Sequence, residues 1–215
     1  MARIPNKKVL KYLPKKLYHF ICEDEKSMLY YLQGFKSEYA VRCKIAINIE
    51  QATEGTSANK VQNSALRVHR KLNNNPIYKQ VGFQVIACFD KDKNDIHDIY
   101  RIIQTNNKTS TMGTIYTNPC YEYWLLLHIE KTNREFNSSS ECTEVCCQKI
   151  KRKYHKEFSS QTLKKEKHIF SFIGKNIQNA IQNAKQLHLT DYNATYTNAH
   201  VLFEELLNRE NNTTL

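Results

Sequence analysis

The feature that most constrains the fold is an alternation of short, β-rich apolar runs with amphipathic segments between residues 16 and 130. The apolar runs predict buried strands, and the segments between them repeat apolar side chains at the three- and four-residue spacing of helices. Because a helix between two strands returns the chain to the starting end of the sheet, strands that alternate with helices pair in parallel. The sequence therefore predicts an α/β domain with a mostly parallel sheet flanked by helices.

Four strands and four helices are predicted within this domain. The strands occupy residues 16–23, 44–51, 78–90 and 111–119, and the helices occupy residues 26–39, 59–74, 94–107 and 120–130. In the second helix we expect Val61, Leu66 and Val68 to face inward. The fourth helix, with the sequence CYEYWLLLHIE, has no polar face wide enough for a surface position, which indicates a central helix.

The pattern changes after a polar, serine-rich stretch around residues 138–140. Everything beyond it is predicted to be helical, in segments 142–158, 168–188 and 199–210, with a polar stretch at 189–198 before the last one. We therefore predict two units. Residues 1–136 form the α/β domain, of which 1–16 are a basic N-terminal segment, and residues 137–215 form a helical C-terminal extension packed on it.

The charge of the chain points to a polyanionic partner. The net charge is +11, the first 20 residues contain no acid, and a second basic block has the sequence KIKRKYHKEF. Such blocks attract nucleic-acid phosphates through counterion release, although a solvated lysine-rich surface gives the same composition. The residues of the second block that we expect to bind nucleic acid, RNA or DNA, are Lys149, Lys151, Arg152, Lys153 and Lys156.

Hydropathy and cysteine usage indicate a cytoplasmic protein. The sequence has no apolar run near the roughly 18 residues that a membrane helix needs, and its basic start has no apolar core of a secretion signal. The seven cysteines are odd in number and several of them lie in apolar runs, which is typical of buried thiols in a reducing compartment. A zinc cluster of Cys142, Cys146 and His155 is the alternative, but no C-x-x-C pair supports it.

Acidic side chains follow two of the predicted strands. Glu23, Asp24 and Glu25 come after the first strand, and Asp90 and Asp92 follow the third. In a doubly wound sheet the carboxyl ends of neighbouring strands lie side by side, so these groups can converge on one divalent cation, Mg²⁺ or Mn²⁺. The alternative is an ordinary charged loop at a strand end. The sequence contains no phosphate-binding G-x-x-x-x-G-K-[ST] loop, G-x-S-x-G elbow or H-E-x-x-H helix to compete with this site.

Three motifs, in order and with compatible gaps, resemble those of the RloB-like family. These bacterial and archaeal proteins have a Toprim-type core and are often encoded beside ATPases in defence loci. The motifs are ICEDEKSMLYYLQGF, FDKDKND and NPCYEYWLLLH, and the segments AIQNAKQLH and ATYTNAHVLFEELL are similar to the helical tail of the family. Together they span about residues 17–207.

The resemblance implies a Toprim-like, Rossmannoid fold in which carboxylates bind magnesium for phosphoryl transfer. Glu23, Asp90 and Asp92 match the metal-binding acids, and Lys26 matches a lysine that contacts a phosphate or the transition-state charge. Glu122 matches an acid of the third motif, where it is a candidate extra ligand or water-orienting base. The other residues that match the third motif are Asn118 and His128.

Three positions of the motifs need a separate interpretation. His128 lies about two helical turns beyond the strand end, so we interpret it as a core histidine. The family glycine after the first glutamate is Asp24 here, and the second acid of that motif is Met28. A second metal ion normally requires further carboxylates, which Asp24, Glu25 or Asp95 would have to supply; the alternative is a site with one ion.

The resemblance favours a magnesium-dependent nuclease that cleaves RNA, with tRNA among the candidates, or DNA. It also implies a role as the effector of an anti-phage or abortive-infection system, with an ATPase partner encoded alongside. A non-catalytic, Toprim-derived module that binds nucleic acid or a partner is the alternative, and the loss of the acid at Met28 favours it. A nucleotide-handling enzyme is a third candidate.

Overall fold

The chain folds around a five-stranded sheet with the strand order β2-β1-β3-β4-β5. The computed structural model describes residues 14–23, 26–187 and 190–211. The strands are β1 (Leu17–Cys22), β2 (Ala46–Gln51), β3 (Phe83–Asp90), β4 (Met112–Asn118) and β5 (Tyr196–Thr197). The first four strands pair in parallel, and β5 pairs antiparallel with β4. This is the α/β architecture that the sequence predicts, a mostly parallel sheet flanked by helices.

Ten α-helices accompany the sheet in the described residues. They are α1 (Ser27–Tyr39), α2 (Ala58–Asn73), α3 (Pro76–Val81), α4 (Ile96–Asn106), α5 (Glu122–Leu127), α6 (Ser139–Tyr154), α7 (Ser160–Lys164), α8 (Ile169–Ile173), α9 (Ile177–Leu187) and α10 (Ala199–Asn211). A short 3-10 turn, Gly174–Asn176, connects α8 to α9.

Both faces of the sheet are buried, which explains the nearly continuous apolar strands. Tyr18 and Phe20 on β1 pack into a core with α1, α5 and the helices of the extension, whereas Leu17 and Ile21 pack into a second core with α2 and α4. Alternate residues of a strand point to opposite faces, so a strand covered on both sides is apolar throughout. All six residues of α5 are buried, which confirms the prediction of a central helix.

The third strand starts later than predicted. Residues 78–82 are not part of it, because Pro76–Val81 form a helix that Gly82, with φ of 82°, brings to an end. Asn75 caps this helix by accepting a hydrogen bond of 3.0 Å from the amide of Ile77. An asparagine cap followed by proline at the first helical position is a helix start signal, and it outweighs the β-rich composition that follows.

The inward face of α2 also differs from the prediction. Val61 is buried as expected, but Ala65 and Leu72 complete the buried stripe, and Leu66 and Val68 are only partly buried. Val61, Ala65 and Leu72 lie four and seven residues apart, so they share one side of the helix. The prediction placed the larger side chains of Leu66 and Val68 on the inward face and missed Ala65, whose small side chain lets α2 approach the sheet.

The C-terminal extension is not wholly helical. The strand β5 lies within the stretch that was predicted to be a polar connection, and the predicted helix 168–188 is divided by the turn at Gly174. A Cβ atom at Gly174 would lie 2.6 Å from the Phe170 ring, so only glycine fits where the two helical pieces meet. The division of the chain into domains at residue 137 stays a prediction.

All seven cysteines are buried and carry reduced thiols, as the sequence predicts. Within the described ranges, no helix is long and apolar enough to cross a membrane.

Candidate active site

A cleft of about 260 Å³ opens at the carboxyl ends of β1, β3 and β4. Four carboxylates line it: Glu23 after β1, Asp90 and Asp92 at and after the end of β3, and Glu122 at the start of α5. Parallel strands bring their carboxyl ends to one edge of a sheet, which explains why acids 99 residues apart in the sequence share one cleft. The structure thus brings together four of the five residues predicted to act in catalysis.

The first two acids are joined through the backbone. The amide of Glu23 donates a hydrogen bond of 3.0 Å to the carbonyl of Cys88, which extends the pairing of β1 with β3 by one residue. The Glu23 carboxylate accepts a hydrogen bond of 2.9 Å from the amide of Asp90. The positions of the two acids relative to each other are therefore fixed by the strand register.

The loop after β3 is held by its own side chains. The amide nitrogen of the Asn94 side chain donates to the carbonyl of Asp90 at 2.9 Å, and its oxygen accepts from the amide of Ala58 at 2.8 Å. The backbone of Asp92 has a positive φ of 33°, a conformation that aspartate tolerates better than most residues. Asn94 was not singled out from the sequence, although an asparagine two residues after the D-x-D is typical of a side chain that closes a turn.

Glu122 is a buried carboxylate with a specific partner. It begins α5 shortly beyond the Asn118–Pro119 cis peptide and is only 1% exposed. The hydroxyl of Ser27, the first residue of α1, donates a hydrogen bond of 2.8 Å to it. A buried carboxylate requires such a donor, so Ser27 belongs to the site. Ser27 lies within the motif ICEDEKSMLYYLQGF, but the sequence interpretation did not single it out.

Two thiols lie in the wall of the cleft beside these acids. Burial raises the pKa of Cys88 well above its usual range, and the charge of Asp90 adds to that effect. A hydrogen bond with Cys142 raises the pKa of Cys120, together with burial and the charge of Glu122. Both thiols are therefore protonated near neutral pH, and the negative charge of the cleft comes from its carboxylates.

Some predicted residues do not line the cleft. Lys26 is exposed and occupies the position before α1, outside the cleft lining. Asp95 does not line the cleft either; it caps α4 by accepting a hydrogen bond of 2.7 Å from the amide of His97. Met28 itself does line the cleft. Asp24 and Glu25, the other two proposed replacements, lie outside the described residues.

The basic block lies at the far end of α6. This helix starts at the cleft with Ser139, and at a rise of about 1.5 Å per residue Arg152 is roughly 20 Å away along the axis. Lys149 and Lys151 form ion pairs of 2.5 Å with Glu130 and Glu157. The remaining residues of the block, Arg152, Lys153 and Lys156, are exposed.

His128 is a core histidine, as predicted. Its Nδ1 lies 2.9 Å from the carbonyl of Trp124 and must donate to it, so Nε2 accepts the hydrogen bond of 2.8 Å from the hydroxyl of Tyr31. Burial lowers the pKa of His128 to about 3, which makes it neutral at physiological pH. Asn118, of the same motif, donates from its side chain to the carbonyls of Tyr192 and Asn193 at 3.1 and 2.8 Å, and so attaches the loop before β5 to the sheet.

Besides Ser27, three polar lining residues were missed by the sequence interpretation: Thr56, Ser139 and Lys164. Thr56 belongs to the loop after β2, Ser139 is the first residue of α6, and Lys164 is the last residue of α7. No local motif marks any of them. Ser139 and Lys164 line the cleft through the tertiary packing of α6 and α7, which a local sequence pattern does not reveal. The cleft is therefore lined by residues on both sides of the predicted boundary at residue 137.

The donor set of the cleft suits Mg²⁺ or Mn²⁺, since these ions prefer carboxylate oxygens. Among the residues whose placement is described, however, no three His, Cys, Asp or Glu side chains lie close enough to hold an ion. Glu23 and Glu122 are instead turned toward the Asp90 amide and the Ser27 hydroxyl. The chemistry of the residues fits a metal ion, and binding would require the carboxylates to turn toward a common point.

The fold and the cleft define an α/β protein with an acidic site at the carboxyl ends of a parallel sheet. The chain belongs to the family of RloB-like proteins, because the model of that family matches residues 18–206, most of the chain. No curated protein and no solved structure matches it.

Proposed function

We propose that the protein is a divalent-metal-dependent phosphodiesterase that cleaves nucleic acid. The observation that carries this proposal is the convergence of Glu23, Asp90, Asp92 and Glu122 on one cleft at the ends of three neighbouring strands. Four acids at one site repel each other unless a cation compensates their charge, which favours a role in metal binding over a charged loop.

In the proposed reaction, Glu23, Asp90 and Asp92 hold Mg²⁺ or Mn²⁺. When bound, this ion polarises the scissile phosphate and lowers the pKa of an attacking water. Glu122 is suited to orient that water, since its carboxylate can accept a proton of the water. The hydrogen bond from Ser27 keeps Glu122 at the wall of the cleft.

Nucleic acid is the substrate class that the charge of the protein favours. The chain carries a net charge of +11, and Arg152, Lys153 and Lys156 are exposed on the extension that also lines the cleft. RNA, including tRNA, and DNA both fit. From the resemblance to the RloB-like family we further propose a cytoplasmic effector of anti-phage defence, with an ATPase as its partner.

A non-catalytic module that binds nucleic acid or a partner is the second candidate. The observation that favours it is Met28, which lines the cleft and stands where the family motif has an acid. In such a module the cleft would recognise a ligand and the carboxylates would no longer act on a phosphate. A nucleotide-handling enzyme that transfers a phosphoryl group is the third candidate function.

Cleavage of labelled RNA and DNA by the purified protein, with and without Mg²⁺ or Mn²⁺, tests the proposal. We expect metal-dependent cleavage that the double substitution Asp90→Ala, Asp92→Ala abolishes and that Glu144→Ala, at an exposed acid of α6, leaves unchanged. Metal-dependent cleavage that survives the double substitution would show that the site is assigned wrongly. Binding without cleavage under every condition, including with a co-encoded ATPase supplied, would favour the module.

A further inference from the structure

We infer that Lys164, which the C-terminal extension contributes to the cleft, binds the phosphate of the substrate. This inference rests on the proposed function. Of the described residues that line the cleft, Lys164 is the one basic side chain, and it faces a site with four carboxylates. A phosphodiester that enters an acidic cleft is repelled, so a lysine at its wall lowers the cost of placing the anion there.

The position of Lys164 is fixed by the helix that carries it. α7 starts with a capping box, in which Ser159 accepts from the amide of Thr162 at 3.2 Å and the Thr162 hydroxyl accepts from the amide of Ser159 at 2.8 Å. Leu163, the residue before Lys164, is buried in the core that the extension shares with α1 and α5. Lys164 thus lies on a short helix that is capped at its N-terminus and packed into the core through Leu163 near its C-terminus.

Two hydroxyl groups accompany the lysine in the cleft lining. Thr56 reaches the cleft from the loop after β2, and Ser139 reaches it from the first turn of α6. Phosphate oxygens accept hydrogen bonds from hydroxyl and ammonium groups in protein–nucleic acid complexes. The Ser139 hydroxyl donates to the carbonyl of Pro119 at 3.3 Å, so it would have to turn away from that carbonyl to reach a phosphate. The carboxylates that would hold the metal ion precede residue 137, whereas Lys164 and Ser139 follow it, so the C-terminal part of the chain would bind the phosphate of the substrate beside the metal ion.

The chain path also connects Lys164 to the basic block. The segment from Lys156 to Lys164 leads from the far end of α6 back to the cleft, and α7 packs against α6. A nucleic-acid strand that is held by Arg152 and Lys156 would therefore meet Lys164 as it enters the cleft. This arrangement gives the extension a direct role in placing the scissile phosphate.

The test compares Lys164→Gln with Lys164→Arg and with Lys165→Gln, a change at the exposed neighbouring lysine, which does not line the cleft. We expect Lys164→Gln to lower kcat/KM for nucleic-acid cleavage about 10- to 100-fold, as the loss of a charge-assisted hydrogen bond does. Lys164→Arg should retain most of the activity because it keeps the charge, and Lys165→Gln should match the wild type.

Mn²⁺ affinity separates a role in substrate binding from a structural one. Lys164→Gln should bind Mn²⁺ at least as tightly as the wild type, because the substitution removes a positive charge near the carboxylates. Equal kcat/KM for the Lys164→Gln and Lys165→Gln variants, an inactive Lys164→Arg variant, or weaker Mn²⁺ binding by Lys164→Gln would each overturn the inference.

Failure of the proposed function gives a different result. In that case the wild type cleaves no nucleic acid. The variants are then compared by their affinity for a labelled oligonucleotide, measured by fluorescence anisotropy, instead of by kcat/KM. Affinity that falls with Lys164→Gln but not with Lys165→Gln would then support phosphate binding by Lys164 in a non-catalytic protein. Equal affinity of the two variants would contradict it.

Discussion

The carboxylate of Glu23 accepts a hydrogen bond of 2.9 Å from the backbone amide of Asp90, and this bond joins the ends of two neighbouring parallel strands. The strand register therefore determines the spacing of the two acids, and no flexible loop separates Glu23 from β1. The structural role of Glu23 in this hydrogen bond can be separated experimentally from its proposed role as a metal ligand.

Replacement of Glu23 by glutamine should abolish activity without unfolding the protein. The glutamine oxygen can still accept the hydrogen bond from the Asp90 amide, but the charge that would hold a cation is lost. We expect kcat/KM for metal-dependent cleavage to fall at least about 100-fold, with the thermal midpoint nearly unchanged. The matched change Glu144→Gln on α6 should alter neither kcat/KM nor the thermal midpoint. A Glu23→Gln variant with normal kcat/KM would exclude Glu23 as a metal ligand.

The Ser27–Glu122 hydrogen bond should contribute to stability. Ser27→Ala leaves a carboxylate that is 1% exposed without its 2.8 Å donor, so we expect the free energy of unfolding in urea to fall by about 1–3 kcal/mol. Ser27→Thr keeps the hydroxyl and should restore most of this loss. In a double-mutant cycle with Glu122→Met, which removes the acceptor, the two effects should not add. Additive effects would show that the two side chains do not interact.

His128 should make the protein less stable in mild acid. The pKa of His128 is about 3 in the folded protein, whereas an ordinary histidine, as in the unfolded chain, has a pKa of 6.5. Protonation of His128 therefore favours the unfolded chain. The contribution is complete above pH 6.5 and decreases as the pH falls toward 3. It amounts to a loss of about 2 kcal/mol at pH 5.

Urea unfolding at pH 7 and pH 5 measures this effect. In a His128→Gln variant, the loss of unfolding free energy between the two pH values should be smaller by about that amount. The change His97→Gln, at an exposed histidine of α4, is the control and should retain the wild-type loss. A His128→Gln variant with the full wild-type loss would contradict the neutral, buried state of His128.

The exposed part of the basic block should carry the salt dependence of nucleic-acid binding. Arg152 and Lys156 are exposed, whereas Lys149 pairs with Glu130 at 2.5 Å. Arg152→Gln with Lys156→Gln should weaken binding and reduce the slope of log affinity against log salt by about 0.7–0.9 for each phosphate that the variant no longer neutralises. Lys149→Gln should change the slope less. A larger change in slope for Lys149→Gln than for the Arg152→Gln, Lys156→Gln variant would show that Arg152 and Lys156 do not bind the phosphates.

The sequence predicts the sheet well because its strands are buried on both faces. Runs such as VIACF in β3 have few alternatives to a buried strand, and the apolar α5 has few alternatives to a central position. The ends of those strands then indicate Glu23 and the Asp90–Asp92 pair, since the carboxyl ends of parallel strands share one edge.

Features that depend on tertiary packing were not predicted. The strand β5 has two residues, and its segment is attached by side chains of Asn118 and Asn198, so no local pattern marks it. Gly34 would place a Cβ 2.2 Å from that of Phe170, a close approach of α1 to α8 that the sequence does not reveal. Lys164 likewise reaches the cleft only because α7 packs beside α6.

Mn²⁺ binding, followed by electron paramagnetic resonance of the free ion, tests the central claim most directly, because it does not depend on finding the substrate. We expect the wild-type protein to bind Mn²⁺, and the double variant Asp90→Ala, Asp92→Ala to bind it at least about tenfold more weakly. The Glu144→Ala variant should bind Mn²⁺ as the wild type does. A double variant that binds Mn²⁺ with wild-type affinity, or a wild-type protein that binds none, would contradict a metal site in this cleft.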